Sequence, residues 1–265
     1  MLIEPGVPDD TCEYCRTGRY NICPGVDFMA TQPNYKGALT QYMTHPEEWT
    51  YHIPEGMTTM EGALVEPAAV GMHAAVLGGA QPGKSIVILG GGTIGLMVLQ
   101  ACISLGATDI TVVDVIEKRL ELAKKLGAAR VINGKEEDTV AVLRSEEMYG
   151  DHGVDLVFEA AGAVFTAQQA VQIVSRGGKI MMVGTQSKPV PIDFLKINRE
   201  VTIQTSFRYC NNFPQTIEAI SSGRFNVKDM VTNIYDYEDV QKAFEEAIDP
   251  VKKTEMVKGV IKVAE

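Results

Sequence analysis

Three glycines, Gly90, Gly92 and Gly95, stand in the spacing G-x-G-x-x-G directly after the apolar, β-branched run 85–89. In that pattern the first glycine allows a tight turn, the second lets the backbone approach a pyrophosphate, and the third lets a helix pack closely on the strand. Thr93 and Ile94 begin an apolar stretch long enough for a buried helix, whose free N–H groups attract phosphate. These five residues are predicted to bind a dinucleotide, although a plain glycine-rich turn would read the same.

Asp114 favours the dinucleotide interpretation. It ends a second apolar run, 110–113, nineteen residues after Gly95. A carboxylate at that place accepts both ribose hydroxyls of an adenosine and repels a 2′-phosphate, so the pattern predicts NAD rather than NADP.

A second group with chemical potential is Asp9, Cys12, Cys15 and Cys23, in a stretch rich in proline and glycine. Three sulfurs and one carboxylate suit tetrahedral zinc, which would order a loop-rich lobe that has no core of its own. The alternative is a lobe that holds free thiols and no metal.

Glu66 is the third candidate, because a carboxylate in the apolar context of residues 60–75 is costly unless it is paired or binds metal. That stretch is predicted to be a helix broken or kinked at Pro67. His45 and His73 lack a second histidine at ligand spacing and are interpreted as structural.

The elements that must position these residues alternate regularly from residue 84 to about 207. Strands are predicted at 85–89, 110–113, 130–133, 154–159, 179–184 and 201–207, with helices at 117–126, 139–148 and 163–174, and a turn at 177–178. Six strands joined mostly by helices indicate an α/β fold with a doubly wound parallel sheet. Its ligand crevice would gather the Gly90–Gly95 loop, Asp114, Glu159, Gly184 and Phe207 at one edge.

The flanking regions have weaker patterns. Residues 26–60 are predicted to form short β segments, with turns at 33–34 and 46; residues 213–222 and 238–247 are predicted helices and 260–263 a final strand. Arg208 follows the sixth strand, where it faces either the crevice or solvent.

Composition limits the partners. The 265 residues carry a net charge of −10, which argues against nucleic acid and against an anionic membrane surface. No apolar run is long enough to span a bilayer and no signal peptide is evident, so we expect a cytoplasmic protein.

Together these stretches resemble the zinc-containing medium-chain dehydrogenases, and within them the polyol branch of sorbitol, L-iditol and xylitol dehydrogenases. The resemblance covers essentially the whole chain, and its specific motifs are these: Ile3-Glu4-Pro5-Gly6-Val7-Pro8, Cys12 to Cys15 with Gly18-Arg19-Tyr20-Asn21, Gly62-Ala63-Leu64-Val65-Glu66-Pro67, the glycine loop, and Phe207-Arg208-Tyr209-Cys210-Asn211. It implies a GroES-like β domain, here incomplete, beside the Rossmann sheet. The implied limits are 1–70 for the partial catalytic domain, 71–212 for the NAD-binding domain and 213–265 for a segment that returns to the catalytic domain.

The resemblance also implies roles for individual residues and an assembly. Glu66 would serve a catalytic zinc, directly or through water, during NAD-dependent oxidation of a polyol. Substrate would meet Phe28, Thr31, Arg208 and Tyr209, and the cofactor would meet Asp114, Arg119, Val183, Gly184, Phe207 and Arg208. A homodimer or homotetramer is implied, and pairing of the strand at 201–207 with a second subunit would cover its outer edge.

Two departures from the family pattern support an alternative function for this chain. Family members supply a cysteine and a Gly-His-Glu motif before the cysteine lobe, whereas no cysteine precedes Cys12 here and no Gly-His-Glu occurs. Asp9 also replaces the first cysteine of the lobe. We therefore expect the sequence to be partial or mis-started at its N-terminus, and the alternative function is a chain that binds NAD without turnover.

Overall fold

A computed structural model describes residues 1–31 and 36–263, so the turn predicted at 33–34 lies outside the described residues. The strands are β1 (Leu2–Ile3), β2 (Gly6–Val7), β3 (Asp27–Phe28), β4 (Thr50–Tyr51), β5 (Ser85–Leu89), β6 (Asp109–Asp114), β7 (Arg130–Asn133), β8 (Val154–Glu159), β9 (Val174–Met182), β10 (Thr202–Thr205), β11 (Val231–Asp236) and β12 (Lys258–Lys262). The helices are α1 (Glu13–Arg16), α2 (Thr59–Ala63), α3 (Val65–Gly78), α4 (Thr93–Ser104), α5 (Glu117–Lys125), α6 (Thr139–Leu143), α7 (Val164–Ile173), α8 (Phe213–Ser221), α9 (Val240–Ile248) and α10 (Lys252–Glu255). Single 3₁₀ turns span Tyr20–Ile22, Glu47–Trp49, Lys228–Met230 and Tyr237–Asp239.

The central feature is a six-stranded sheet in the order β10-β9-β8-β5-β6-β7, in which every neighbouring pair is parallel. The chain moves outward from β5 through β6 to β7, then returns to β8 and moves outward on the other side. The direction therefore reverses between β5 and β8, and the crevice beyond the carboxyl ends of these two strands is where such sheets bind ligands. The predicted doubly wound α/β fold is confirmed.

Burial explains why the strands form there. Ile86 to Leu89 of β5 are fully buried, as expected of a strand covered by helices on both faces. Helices α3 and α4 pack against each other within the same core cluster, and a Cβ on Gly71 would lie 2.5 Å from the carbonyl carbon of Met97. Glycine at this position lets the two helices approach closely.

Two helix predictions are wrong in their boundaries. The stretch 60–75 forms two helices separated at Leu64, and Pro67 lies in the first turn of α3 without breaking it. A proline is tolerated in the first turn because the N–H it lacks would have no intrahelical partner there. The helix predicted over 139–148 ends at Leu143.

The last two strand predictions also need correction. Gly177 and Gly178 lie inside β9 and do not form a turn before it; the N–H of Gly177 is held by the carbonyl of Arg199 at 2.8 Å. The strand predicted over 201–207 is confined to Thr202–Thr205. It does occupy the edge of the sheet, as expected.

The remaining strands form small pairs. β1 pairs with β4 and β2 with β3, both antiparallel, while β11 pairs with β12 in parallel. Of the short β segments predicted over 26–60, the described residues form β3 and β4 and contain no strand at 38–43. Among the described residues, no helix combines the length and apolar character needed to cross a bilayer.

Candidate functional site

The glycine loop lies directly beyond β5, and in it the main chain of Gly95 lies very close to that of Gly90. Gly90 has φ +108°, which favours glycine, and a Cβ on Gly95 would lie 1.8 Å from the Gly90 carbonyl oxygen. Gly92 is the N-cap of α4, and the nearest atom to a Cβ there is Arg119 Nη1 at 4.0 Å. The space in front of Gly92 is therefore open for a phosphate to approach the helix N-terminus.

Asp114 lies at the end of β6, and its side chain is 6% exposed. Oδ2 accepts the N–H of Gly91 at 2.7 Å, and Oδ1 accepts the N–H groups of Val115 and Ile116 at 2.7 and 2.9 Å. Arg119 Nη1 lies 3.6 Å from Oδ2. The carboxylate is fixed beside the glycine loop, and Oδ2, which accepts only one N–H group, keeps acceptor capacity for a ribose hydroxyl.

The C-terminal segment reaches the same place, which the sequence did not indicate. The Thr93 hydroxyl donates to the carbonyl of Val257, and Arg119 Nη2 donates to the carbonyl of Lys253 at 3.3 Å. Lys118 pairs with Glu255 at 2.9 Å. Two of these contacts use main-chain carbonyls, which carry no residue-type signal, so no sequence pattern could have revealed them.

Val183 and Gly184 follow β9, and both donate their N–H groups to the main-chain carbonyl of Glu159 at 2.8 Å. A Cβ on Gly184 would lie 2.4 Å from the nitrogen of Gly162, so the loops after β8 and β9 are in close contact. A cavity of about 490 Å³ is lined by Val183, Gly184 and Gln186. Its size is typical of a ligand pocket.

Five of the predicted substrate and cofactor residues lie close to one another, and three of them, Phe28, Arg208 and Tyr209, line one small cavity. The guanidinium of Arg208 lies 3.7 Å from the centre of the Phe28 ring and 4.9 Å from that of Phe207. Such placement over ring faces favours the cation. Thr31 joins them, since its hydroxyl donates to the Phe28 carbonyl at 2.8 Å. Tyr209 is 2% exposed, and its hydroxyl lies beside the Glu66 carboxylate, with which it interacts.

Glu66 lies in the first turn of α3. Its carboxylate interacts with the side chain of Tyr209 and with the positive charge of Arg208. Burial raises the pKa of Glu66, while Tyr209, Lys258 and Arg208 act in the opposite direction. Burial, and after it the Glu66 carboxylate, raises the pKa of Tyr209. Glu66 therefore combines a raised proton affinity with a neighbouring hydroxyl that can form a hydrogen bond with it. Lys258 was missed by the sequence analysis, because β12 is distant in the chain.

The segment 207–211 is held by the residues that follow α1. Asn21 Nδ2 donates to the carbonyl of Phe207 at 2.8 Å, and the N–H of Asn211 donates to Tyr20 Oη at 2.8 Å. Arg208 and Asn211 both have positive φ, +52° and +57°. Non-glycine residues keep such strained conformations when the surroundings impose them, and these hydrogen bonds supply part of that restraint.

The cysteine lobe brings Asp9, Cys12, Cys15 and Cys23 together, with all four potential ligand atoms within 4.8 Å of one another. Sulfurs around a tetrahedral zinc lie roughly 3.8 Å apart, given Zn–S bonds of about 2.3 Å. Gly25 makes room, because a Cβ there would lie 2.6 Å from Asp9 Oδ2. The donor set and its spacing fit zinc, and no other described group of three or more such residues does so.

Ionisation in the lobe is consistent with a cation site. The N–H groups of Thr11 and Cys12 lower the pKa of Asp9 to about 2, so its carboxylate is charged at neutral pH. Desolvation and the neighbouring thiols raise the pKa of Cys15 to about 12. Cys15 would therefore lose its proton on binding a metal ion, since a cysteine ligand is a thiolate.

The two histidines have structural partners. His73 is buried, with Nδ1 3.0 Å from Asn212 Oδ1, and His45 Nε2 lies 2.9 Å from the main-chain carbonyl of Glu4. Burial lowers the pKa of His73. Both contacts agree with the structural interpretation.

Comparison with known proteins gives two family matches: residues 93–222 match the zinc-binding dehydrogenase family, and residues 2–55 match the alcohol dehydrogenase GroES-like domain. The chain is 64% identical over 263 residues to an uncharacterized zinc-type alcohol dehydrogenase-like protein of Escherichia coli, covering 99% of this chain and 75% of that protein. It is 41% identical over 251 residues to the sorbitol dehydrogenase of Bacillus subtilis, covering 94% and 70%.

A solved structure also matches this chain over nearly its whole length. A crystal structure from Escherichia coli, described as an oxidoreductase/dehydrogenase of unknown specificity, superposes with a TM-score of 0.96 at 63% identity. The match covers 99% of this chain and 75% of that one.

Proposed function

The chain belongs to the zinc-type alcohol dehydrogenase family, in its polyol branch, and from that premise we propose that it oxidises a secondary alcohol of a polyol with NAD. The observation that carries the proposal is the pairing of a glycine loop and Asp114 at one end of the crevice with Glu66, Arg208 and Tyr209 at the other. The first group suits a dinucleotide and the second suits a molecule with several hydroxyls.

The residues present fit NAD. The open approach at Gly92 suits the pyrophosphate, and Oδ2 of Asp114 suits a ribose hydroxyl of the adenosine, with Arg119 beside it. Val183, Gly184 and Phe207 would line the nicotinamide end. When bound there, NAD supplies the hydride acceptor, while the chain orients it and excludes water.

On the substrate side, Arg208 and Tyr209 would hold the hydroxyls of the polyol, with Phe28 and Thr31 bordering them. The buried hydroxyl of Tyr209, which lies beside Glu66, would form a hydrogen bond with one substrate oxygen. Glu66, with its pKa raised by burial, would take up the proton that the alcohol releases. It is the residue we propose as catalytic.

Zinc fits one of the two implied places. The cysteine lobe offers four ligand groups, so we propose structural zinc there. Around Glu66 the described residues offer no such group of three, and the catalytic zinc implied by the family does not fit the residues present. Because Glu66 lacks these companions, a chain that binds NAD without turnover is the second candidate function.

One experiment separates the two candidates. Protein of the printed sequence is titrated with NAD by calorimetry and then mixed with NAD and sorbitol or xylitol, with NADH formation followed by absorbance. Turnover that Glu66→Gln abolishes without weakening NAD binding supports the dehydrogenase. NAD binding without NADH formation supports the second candidate, and failure to bind NAD refutes both.

Assembly and location are further proposals. The edge strand β10 has Thr202 and Thr205 exposed, and pairing with the same strand of a second copy would satisfy its free backbone groups. We propose a homodimer or homotetramer, located in the cytoplasm, without nucleic-acid or membrane partners.

A further inference from the structure

Glu159 is a buried carboxylate that the proposed mechanism does not use. It ends β8, the strand beside the point where the sheet reverses direction, and it is fully buried between Leu89 of β5 and Met182 of β9. It therefore lies at the floor of the crevice that binds ligands in sheets of this kind.

The groups around this carboxylate are hydrogen-bond donors. Oε1 accepts the N–H groups of Ala161 and Gly162 at 3.1 and 2.9 Å, with the Thr166 hydroxyl at 2.7 Å. Oε2 accepts Gln186 Nε2 at 2.6 Å. Donors on both oxygens are the surroundings of an ionised carboxylate, which only accepts.

Glu159 also connects the loop that follows β8 with the loop that follows β9, and the second of these loops borders the cavity. Its carbonyl holds the N–H groups of Val183 and Gly184 at 2.8 Å, and a Cβ on Gly184 would lie 3.0 Å from Oε2. A charge at Oε2 thus lies directly behind the main chain of Gly184, on which the nicotinamide end of the cofactor is proposed to rest.

We propose that Glu159 biases the site toward the oxidised cofactor, by placing a fixed negative charge behind the surface that receives the nicotinamide ring. The ring carries a positive charge in NAD⁺ and none in NADH, so the carboxylate stabilises the first state and not the second. The inference depends on the proposed cofactor site. Its consequence is that hydride transfer weakens cofactor binding and assists release of NADH.

The side chain of Gln186 allows a substitution that removes the charge of Glu159 and keeps its hydrogen bonds. Its Oε1 is buried and has no partner among the described residues. In Glu159→Gln the new amide can donate to that oxygen once the Gln186 amide turns over, while the remaining oxygen still accepts from Ala161 and Gly162. The variant removes the charge and keeps the hydrogen bonds.

Asp155→Asn is the matched control. Asp155 lies at the opposite end of the same strand, roughly 13 Å away at about 3.3 Å per residue, and the Asn oxygen can keep the contacts with Ser85 N and Oγ at 3.0 Å. The control removes one carboxylate charge from β8 at a distance where exposed charges are largely screened.

The dissociation constants are measured for NADH by its fluorescence, and for NAD⁺ and ADP-ribose by displacement. In Glu159→Gln we expect the ratio of the NAD⁺ constant to the NADH constant to rise by at least about fivefold, which is less than the full interaction of two unit charges a few ångströms apart in protein. ADP-ribose, which has no nicotinamide, should bind unchanged, and Asp155→Asn should keep the wild-type ratio.

An unchanged ratio in Glu159→Gln, or an equal change in Asp155→Asn, would overturn the inference while leaving the proposed function intact. Wild-type protein that binds neither cofactor would refute the proposed function and this inference with it. If Glu159→Gln does not fold, the double variant Glu159→Gln/Gln186→Glu carries the test, because it keeps one carboxylate and one amide in contact. A folded double variant whose ratio of the NAD⁺ constant to the NADH constant rises above that of the wild type would also count against the proposal.

Discussion

Replacing Tyr20 by phenylalanine should destabilise the protein more at pH 8 than at pH 5. Glu4 is 1% exposed, and its carboxylate accepts from Tyr20 Oη at 2.6 Å and from Tyr51 Oη at 2.9 Å. Burial raises the pKa of Glu4, and the two tyrosine hydroxyls act against that rise. Because the native state holds this proton to higher pH than the unfolded chain, stability falls as pH rises through the window between the two pKa values.

Without the Tyr20 hydroxyl, the native pKa of Glu4 rises further, so this loss continues to higher pH. A hydrogen bond to a charged group is worth about 1.5–3 kcal/mol and one to a neutral group about 0.5–1.5 kcal/mol. We therefore expect the penalty to be larger by about 1 kcal/mol at pH 8, where the lost bond is to the charged carboxylate. The unpaired N–H of Asn211, which donates to Tyr20 at 2.8 Å, adds a part that does not depend on pH.

Thermal unfolding at pH 5 and pH 8 measures the effect. At about 2–4 °C per kcal/mol for a chain of this size, the additional fall in Tm at pH 8 should be a few degrees. Tyr42→Phe is the matched control, because Tyr42 is 90% exposed and its loss should not change Tm at either pH. An equal loss at both pH values, or a larger one at pH 5, would refute the role given to the Glu4 carboxylate.

Five further outcomes are expected. Asp114→Ala should narrow or erase the preference for NAD over NADP and weaken NAD binding in calorimetry, since no carboxylate then repels a 2′-phosphate; wild-type protein that binds both equally would contradict this role. Gly95→Ala should prevent stable folding, judged by thermal unfolding, because its Cβ would meet the Gly90 carbonyl at 1.8 Å. Gly92→Ala, whose Cβ has only an Arg119 atom at 4.0 Å, should fold normally and lose NAD affinity. Cys15→Ser should lower the zinc content by one ion per chain in metal analysis, and retention of zinc would exclude the lobe as its site. Sedimentation at micromolar concentration should give a dimer or tetramer, and a monomer would count against pairing through β10.

Much of the fold follows from local pattern. The apolar run of β5, the glycines after it and Asp114 at the end of β6 are contiguous signals, and the alternation of strands and helices was sufficient to predict the six-stranded sheet. Two of the boundaries that were wrong share a cause. Gly177 and Pro67 are residues that usually end an element, but at these places tertiary contacts or a first-turn position let the element continue.

The residues of the candidate site also fall into two groups: those that the sequence indicates and those that only the fold brings together. The sequence by itself determined which residue types were available: the glycine loop, Asp114, the acidic and sulfur ligands of the lobe, and Glu66. Only the tertiary structure decided that Lys258 and the carbonyl of Val257 lie at this site, and that Glu159 stands behind Gly184. These partners come from elements far apart in the chain, and several act through main-chain atoms that every residue type shares. Local sequence records what a side chain can do, whereas the packing of distant elements determines what it meets.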